Sequence, residues 1–117
     1  MTNYNKIYLN GEWVEPKGTE KVIVSNPANE KSIGDITLAD KADLDLAVLS
    51  AKEAFYSFSI TTLDEKILLF NNIINTFKKR LNDLAEIITQ EMGAPITLSQ
   101  KAQAPSGLGH FINTLNA

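Results

Sequence analysis

The sequence predicts an α+β chain in which short strands come first and helices follow. Turn residues separate β-prone runs up to Ile36, and beyond it the spacing of apolar residues changes from about two to about 3.6. At 117 residues, with 44% hydrophobic and 21% charged, the chain has material for at most one small domain. We therefore expect one domain over residues 1–117, with strand hairpins in 1–36 and helices in 40–117.

The strand region is built from short runs between turn signals. Asn10-Gly11 supplies the two positive-φ residues that a type I′ hairpin turn needs. Pro27 ends the third strand because proline has no N–H to donate, and Gly34 marks a candidate bulge in the fourth. The expected strands are 7–9, 12–14, 22–25 and 32–36.

Two capping patterns predict the first helices. Asp40 can cap a helix, and Asp43 lies in its first turn, where a negative charge suits the helix dipole. Thr62 to Glu65 reads as a capping box, and the helix that it opens ends at the basic run Lys78-Lys79-Arg80. These signals predict helices over about 42–58 and 63–80.

A third helix and a broken fourth complete the expected order. Asn82 is the candidate cap of a helix over 83–92, which separates it from the preceding helix. Gly93 suits a positive-φ position after its last residue, and Pro95 prevents continuation. After residue 96 we expect a weak helix that Pro105, Gly107 and Gly109 interrupt.

Composition excludes several classes of function. A net charge of −3 and a single short basic run argue against nucleic acid as a partner. No apolar stretch approaches the roughly 18 residues of a membrane span, and no signal peptide is visible, so we expect a cytoplasmic protein without a membrane partner. The absence of cysteine excludes disulfides, thiolate zinc sites and thiol catalysis by this chain.

The order of motifs along the chain resembles the start of the aldehyde dehydrogenase superfamily. The resemblance rests on the Asn10–Trp13 hairpin, the Ser25–Glu30 turn, the Gly34–Ile36 strand and the helix ending Gln90–Pro95. It implies the amino-terminal portion of the α/β cofactor-binding domain of an NAD(P)-dependent enzyme. In that family a thiolate attacks the aldehyde, a hydride passes to nicotinamide, and water activated by a glutamate releases the acid.

The family's chemical groups fall outside this sequence. Its cysteine nucleophile, general base, oxyanion-hole asparagine and glycine-rich loop would all follow Ala117, so no catalytic or cofactor-binding residue is assigned here. Gly107-Leu108-Gly109 is too short for a pyrophosphate loop. We therefore expect a truncated fragment that is inactive alone and binds neither NAD nor NADP. Its partner would be the remainder of an aldehyde dehydrogenase subunit, and the complete enzyme would be a homo-oligomer.

One site of the family transfers residue by residue. The resemblance implies a monovalent cation bound by the backbone carbonyls of Val24 and Ser25 and by the carboxylate of Glu91. Oxygen ligands suit a hard cation. The alternative for Glu91 is a solvated position at the end of a helix.

Other candidate residues have structural explanations. His110 lacks a Cys or Ser partner at readable spacing, so we expect it to pack rather than transfer protons. Asp64 and Glu65 fit helix capping rather than acid–base work, and Trp13 and Phe55 fit core or interface positions. Two other functions stay open: a stand-alone helical interaction or structural module, and a hydrolase or metal enzyme, which lacks ligand spacing such as H-x-x-x-H.

Overall fold

A computed structural model describes residues 2–117, with side chains described from Asn5 onward. All strands lie within residues 2–37 and all helices within 41–116, which confirms the α+β class. The chain groups into two compact units, one of residues up to 25 and 31–60, the other of 26–30 and 61–117. That residues 1–117 form one incomplete domain stays a prediction.

The strands are β1 Thr2–Tyr4, β2 Ile7–Leu9, β3 Glu12–Val14, β4 Lys21–Ser25 and β5 Ser32–Thr37. The helices are α1 Lys41–Phe58, α2 Leu63–Lys79, α3 Leu81–Met92, α4 Ile96–Leu98 and α5 Ala104–Asn116, with a π-helical turn at Ser99–Gln103.

The first unit opens with the expected hairpin. β2 and β3 pair antiparallel, with Ile7 opposite Val14. Asn10 and Gly11 connect them with φ values of 51° and 85°, so both residues have the positive φ that the turn requires. Of the two β2 ends, Leu9 is the buried one.

A three-stranded sheet in the order β1-β5-β4 forms the rest of the strand region. β4 and β5 pair antiparallel, as expected, whereas β1 pairs parallel to β5 and was not expected. Val24 pairs with Gly34 and Ser25 with Ser32, so Ile33 is the extra residue of a bulge. The bulge therefore lies one residue before the expected Gly34.

The second unit contains two separate helices, α2 and α3, as expected. The break falls at Arg80, whose backbone (φ −108°, ψ 14°) leaves the helical region. Its N–H is shared between the carbonyls of Thr76 and Phe77. The expected cap at Asn82 is wrong, because α3 already begins at Leu81 and has no side-chain cap.

The last helical stretch is interrupted once, and proline explains the place. In a regular helix the ring of Pro105 would clash with the carbonyl of Lys101, four residues earlier. Here the Ala104 N–H reaches back to the carbonyl of Ser99, a π-helical bond that widens the turn. The expected breaks at Gly107 and Gly109 are wrong, since α5 runs through both.

Aromatic packing organises the interior of the second unit. The ring of Phe111 on α5 lies 6.1 Å from that of Phe70 and 5.9 Å from that of Phe77, both on α2. A Cβ added to Gly107 would lie 2.9 Å from Cζ of Phe77, so this position lets α5 approach α2 closely. The fully or nearly buried side chains of this unit are Ile74, Ala85, Ser99 and Ala104. None of the helices described for residues 2–117 combines the length and apolar character needed to cross a bilayer.

Candidate functional site

The residues proposed for the cation lie at the ends of regular elements. Val24 and Ser25 end β4, at the point where the bulge interrupts the ladder with β5. Glu91 is the penultimate residue of α3, and it is exposed. The shared cation site stays a prediction. Among residues 5–117, whose side chains are described, no cluster of three or more His, Asp and Glu side chains is placed to hold a metal ion.

Gly93, which follows the last residue of α3, packs against a tight turn of residues 26–30 within the second unit. The turn is closed by Asn26, whose side-chain Oδ1 accepts from the Ala28 N–H at 2.9 Å and whose carbonyl accepts from the Glu30 N–H at 2.7 Å. Gly93 has φ +70°, as expected for its position. A Cβ there would lie 2.9 Å from the Ala28 nitrogen and 3.0 Å from Cγ of Pro27, so only glycine fits without movement.

Asp43 does more than favour the helix dipole. It is 4% exposed, and its carboxylate completes a capping box by accepting from the Asp40 N–H at 3.0 Å. It also accepts from the Lys17 N–H at 2.9 and 3.0 Å and from the Gly18 N–H at 3.2 Å. The hydrogen bonds from Asp40 and then Lys17 hold the pKa of Asp43 below its ordinary value. The carboxylate thus ties the β3–β4 loop to the start of α1.

The sequence did not predict the hydrogen bonds from Lys17 and Gly18 to Asp43, nor a second set of hydrogen bonds around a buried hydroxyl. Thr89 donates to the Ser99 hydroxyl at 2.9 Å, and Ser99 donates to Oε1 of Gln103 at 3.0 Å. Ser99 is completely buried, so these bonds satisfy a hydroxyl that would otherwise be costly to bury. No local spacing signal marks either feature, because both join separate elements.

An apolar groove of about 510 Å³ lies between α2 and α3 in the second unit. Its floor and walls are mainly aliphatic and aromatic, and the Arg80–Asp83 ion pair of 3.4 Å lies among its lining residues. The apolar lining residues are Ile73, Phe77, Leu84 and Ile87. This lining suits the packing of apolar side chains.

The remaining candidates divide between correct and wrong expectations. Thr62 and Glu65 form the expected capping box, with the Thr62 N–H 2.7 Å from Oε2 of Glu65. The Thr62 backbone and hydroxyl bonds lower the pKa of Glu65. The expected packing of His110 is wrong, because this residue is exposed. Trp13 and Phe55 are 66% and 64% exposed, so neither is a core residue of this chain.

Comparison with known proteins decides the family. The family model described as "Aldehyde dehydrogenase family" matches residues 13–115. The chain belongs to the aldehyde dehydrogenase family. It is 42% identical, over 113 residues, to a 3-succinoylsemialdehyde-pyridine dehydrogenase from a Pseudomonas species, and this match covers 96% of the chain and 24% of the relative.

Solved aldehyde dehydrogenases share the fold described above. The enzyme from Bartonella henselae is 34% identical, with a TM-score of 0.96 over 99% of this chain and 24% of that one. Aldehyde dehydrogenase C from Pseudomonas syringae, in complex with NAD⁺ and octanal, is 29% identical, with a TM-score of 0.93 over 96% of this chain and 23% of that one. The chain therefore spans about a quarter of the length of the aldehyde dehydrogenases that it matches, and it aligns with their amino-terminal part.

The family uses a nicotinamide cofactor, and the glycines of α5 do not fit one. A pyrophosphate loop needs backbone N–H groups that are free to point at the ligand. Gly107-Leu108-Gly109 lies inside α5 instead, with Gly107 against the ring of Phe77. Gly107 is therefore a packing position within a helix.

Proposed function

We propose that this chain is the amino-terminal scaffold of an aldehyde dehydrogenase subunit that oxidises an aldehyde to a carboxylic acid with NAD or NADP. The observation that carries the proposal is that nearly the whole chain superimposes on a quarter of an aldehyde dehydrogenase at a TM-score of 0.96. We place it in the cofactor-binding domain of a cytoplasmic, homo-oligomeric enzyme.

The polar groups of the chain support a scaffold role. The carboxylates of Asp43 and Glu65 both accept hydrogen bonds from backbone N–H groups. The side chains of Thr89, Ser99 and Gln103 are hydrogen-bonded to one another. Covalent aldehyde chemistry needs an activated nucleophile beside an oxyanion pocket. A chain without cysteine has no thiolate to supply, so we assign the chemical step to the rest of the subunit.

We also propose that the carbonyls of Val24 and Ser25 and the carboxylate of Glu91 hold a monovalent cation in the complete subunit. The position of Val24 and Ser25 at the end of β4, where the ladder with β5 is interrupted, is the observation that supports this assignment. The exposed carboxylate of Glu91 supplies a hard oxygen ligand.

A chimera tests the main proposal. The matched 113-residue segment of the Pseudomonas 3-succinoylsemialdehyde-pyridine dehydrogenase is replaced by the corresponding segment of this chain, and NADH formation is measured with that enzyme's own substrate. The same enzyme without the segment is the control. We expect the chimera to form NADH and the deletion to form none. A soluble chimera as inactive as the deletion would contradict the scaffold role.

A further inference from the structure

Helix α1 carries a narrow apolar surface, which we call the α1 stripe: Leu44, Val48, Ala51 and Phe55. The spacing of four, three and four residues places these side chains along one side of the helix. Leu44, Val48 and Phe55 are 61%, 47% and 64% exposed. Isolated exposed apolar residues are common, but a contiguous line of large ones marks a contact surface.

The other sides of α1 are accounted for differently. Asp43 lies about 100° around the helix from Leu44 and is held by the β3–β4 loop, which fixes the rotation of α1 within the first unit. Lys41 and Asp45 form an exposed ion pair of 2.6 Å in the first turns of α1. The stripe is therefore not the side by which α1 is held to the β3–β4 loop.

The matched relatives are much longer than this chain. About three quarters of the length of the matched aldehyde dehydrogenases lies outside the part that this chain matches. In those relatives the additional residues belong to the same polypeptide. A covalently attached segment has an effective concentration in the millimolar range for short linkers, so it outcompetes a free second copy for an apolar surface.

We propose that the α1 stripe is the surface on which the remaining part of an aldehyde dehydrogenase subunit packs. This inference rests on the proposed function and names the face of the scaffold that meets the rest of the subunit. The occupant is apolar polypeptide of the same subunit, and contact with Leu44 and Phe55 excludes water from both side chains.

The test compares the same substitution on two sides of α1. Leu44→Glu and Phe55→Glu change the stripe, whereas Leu49→Glu is the matched control, since Leu49 is 54% exposed and lies about 140° from Leu44 around the helix. Each is made both in the 117-residue chain and in the Pseudomonas chimera. In the chain alone, we expect all three to leave the urea midpoint unchanged, because these side chains are exposed there.

In the chimera, we expect the two stripe variants to lower the thermal midpoint by several degrees and to remove most NADH formation, because each would bury an unpaired carboxylate. Leu49→Glu should leave both unchanged, and Leu44→Met should behave as the unmodified chimera. Stripe variants that match Leu49→Glu in the chimera would overturn the inference, as would an equal loss of stability in the chain alone. An unmodified chimera without activity would instead contradict the proposed function.

Discussion

Replacing Gly93 by alanine tests the account of how α3 ends. The residue has φ +70°, a conformation that costs an L-residue about 1–2 kcal/mol. The new Cβ would also lie 2.9 Å from the Ala28 nitrogen and 3.0 Å from Cγ of Pro27. Neither atom belongs to a flexible side chain, so we add about 1–3 kcal/mol for the overpacked contact. The expected destabilisation is about 2–5 kcal/mol.

Two other variants separate the terms. Gly93→Asn keeps the close contact but tolerates positive φ better, so it should fall between the wild type and Gly93→Ala. Gly109→Ala is the control, because a Cβ there meets no described atom within 4 Å in the part of the chain that the structure covers. Within α5 this replacement should stabilise by about 0.5–1 kcal/mol.

Urea unfolding of the 117-residue chain, followed by far-ultraviolet circular dichroism, measures all three. With a slope of about 1–2 kcal/mol per M for a small chain, Gly93→Ala should lower the midpoint by at least about 1 M. Gly109→Ala should raise it. A midpoint for Gly93→Ala equal to that of the wild type would refute the packing of α3 on the Asn26–Glu30 turn.

The other predictions concern charge, packing and cation binding. Because the pKa of Asp43 is lowered, its carboxylate stabilises the fold above the ordinary pKa of 3.8, and this stabilisation is lost as pH falls through the lower folded value. The free energy of unfolding should therefore depend less on acidic pH in Asp43→Asn than in the wild type. Asp45→Asn, at an exposed position, should leave this pH dependence unchanged. Gly107→Ala should destabilise the chain by about 1–3 kcal/mol in urea, and Phe77→Leu should remove most of this difference in a double-mutant cycle. If a cation binds at Glu91, replacing choline by potassium in the buffer should raise the thermal midpoint of the Pseudomonas chimera, and Glu91→Gln should abolish this rise. An equal rise in the chimera with and without Glu91→Gln would show that Glu91 is not a ligand.

Local signals predicted much of the fold. The Asn10-Gly11 hairpin, the helix cap at Asp40, the capping box at Thr62 and the positive φ of Gly93 each depend on a few neighbouring residues, and all four are confirmed. Such features are readable because their physical causes lie within one turn of chain.

The incorrect expectations concern features that short sequence patterns do not show. β1 pairs with β5, about thirty residues away, and the run Thr2-Asn3-Tyr4 is too short to show the apolar–polar alternation that would predict a strand. Asn82 has the side chain of a cap, but the backbone of Arg80 sets the start of α3. The helix tolerates Gly107 because close packing on Phe77 compensates, which no spacing rule reveals.

Less of the candidate site could be predicted from the sequence. The hydrogen bonds to Asp43 come from Gly18 and Lys17, which are 25 and 26 positions away, so the sequence indicated only that Asp43 lies in the first turn of α1. Val24, Ser25 and Glu91 came from family resemblance, since carbonyl ligands leave no side-chain pattern.

The most direct test of a scaffold without chemistry compares the 117-residue chain with the Pseudomonas chimera under one set of conditions. NADH formation is measured with the substrate of the Pseudomonas enzyme, and NAD⁺ binding is measured by calorimetry. We expect the chimera to bind NAD⁺ and turn over, and the chain alone to do neither, because loss of a nucleophile and its pocket removes catalysis by orders of magnitude. Turnover above blank by the chain alone would contradict the account.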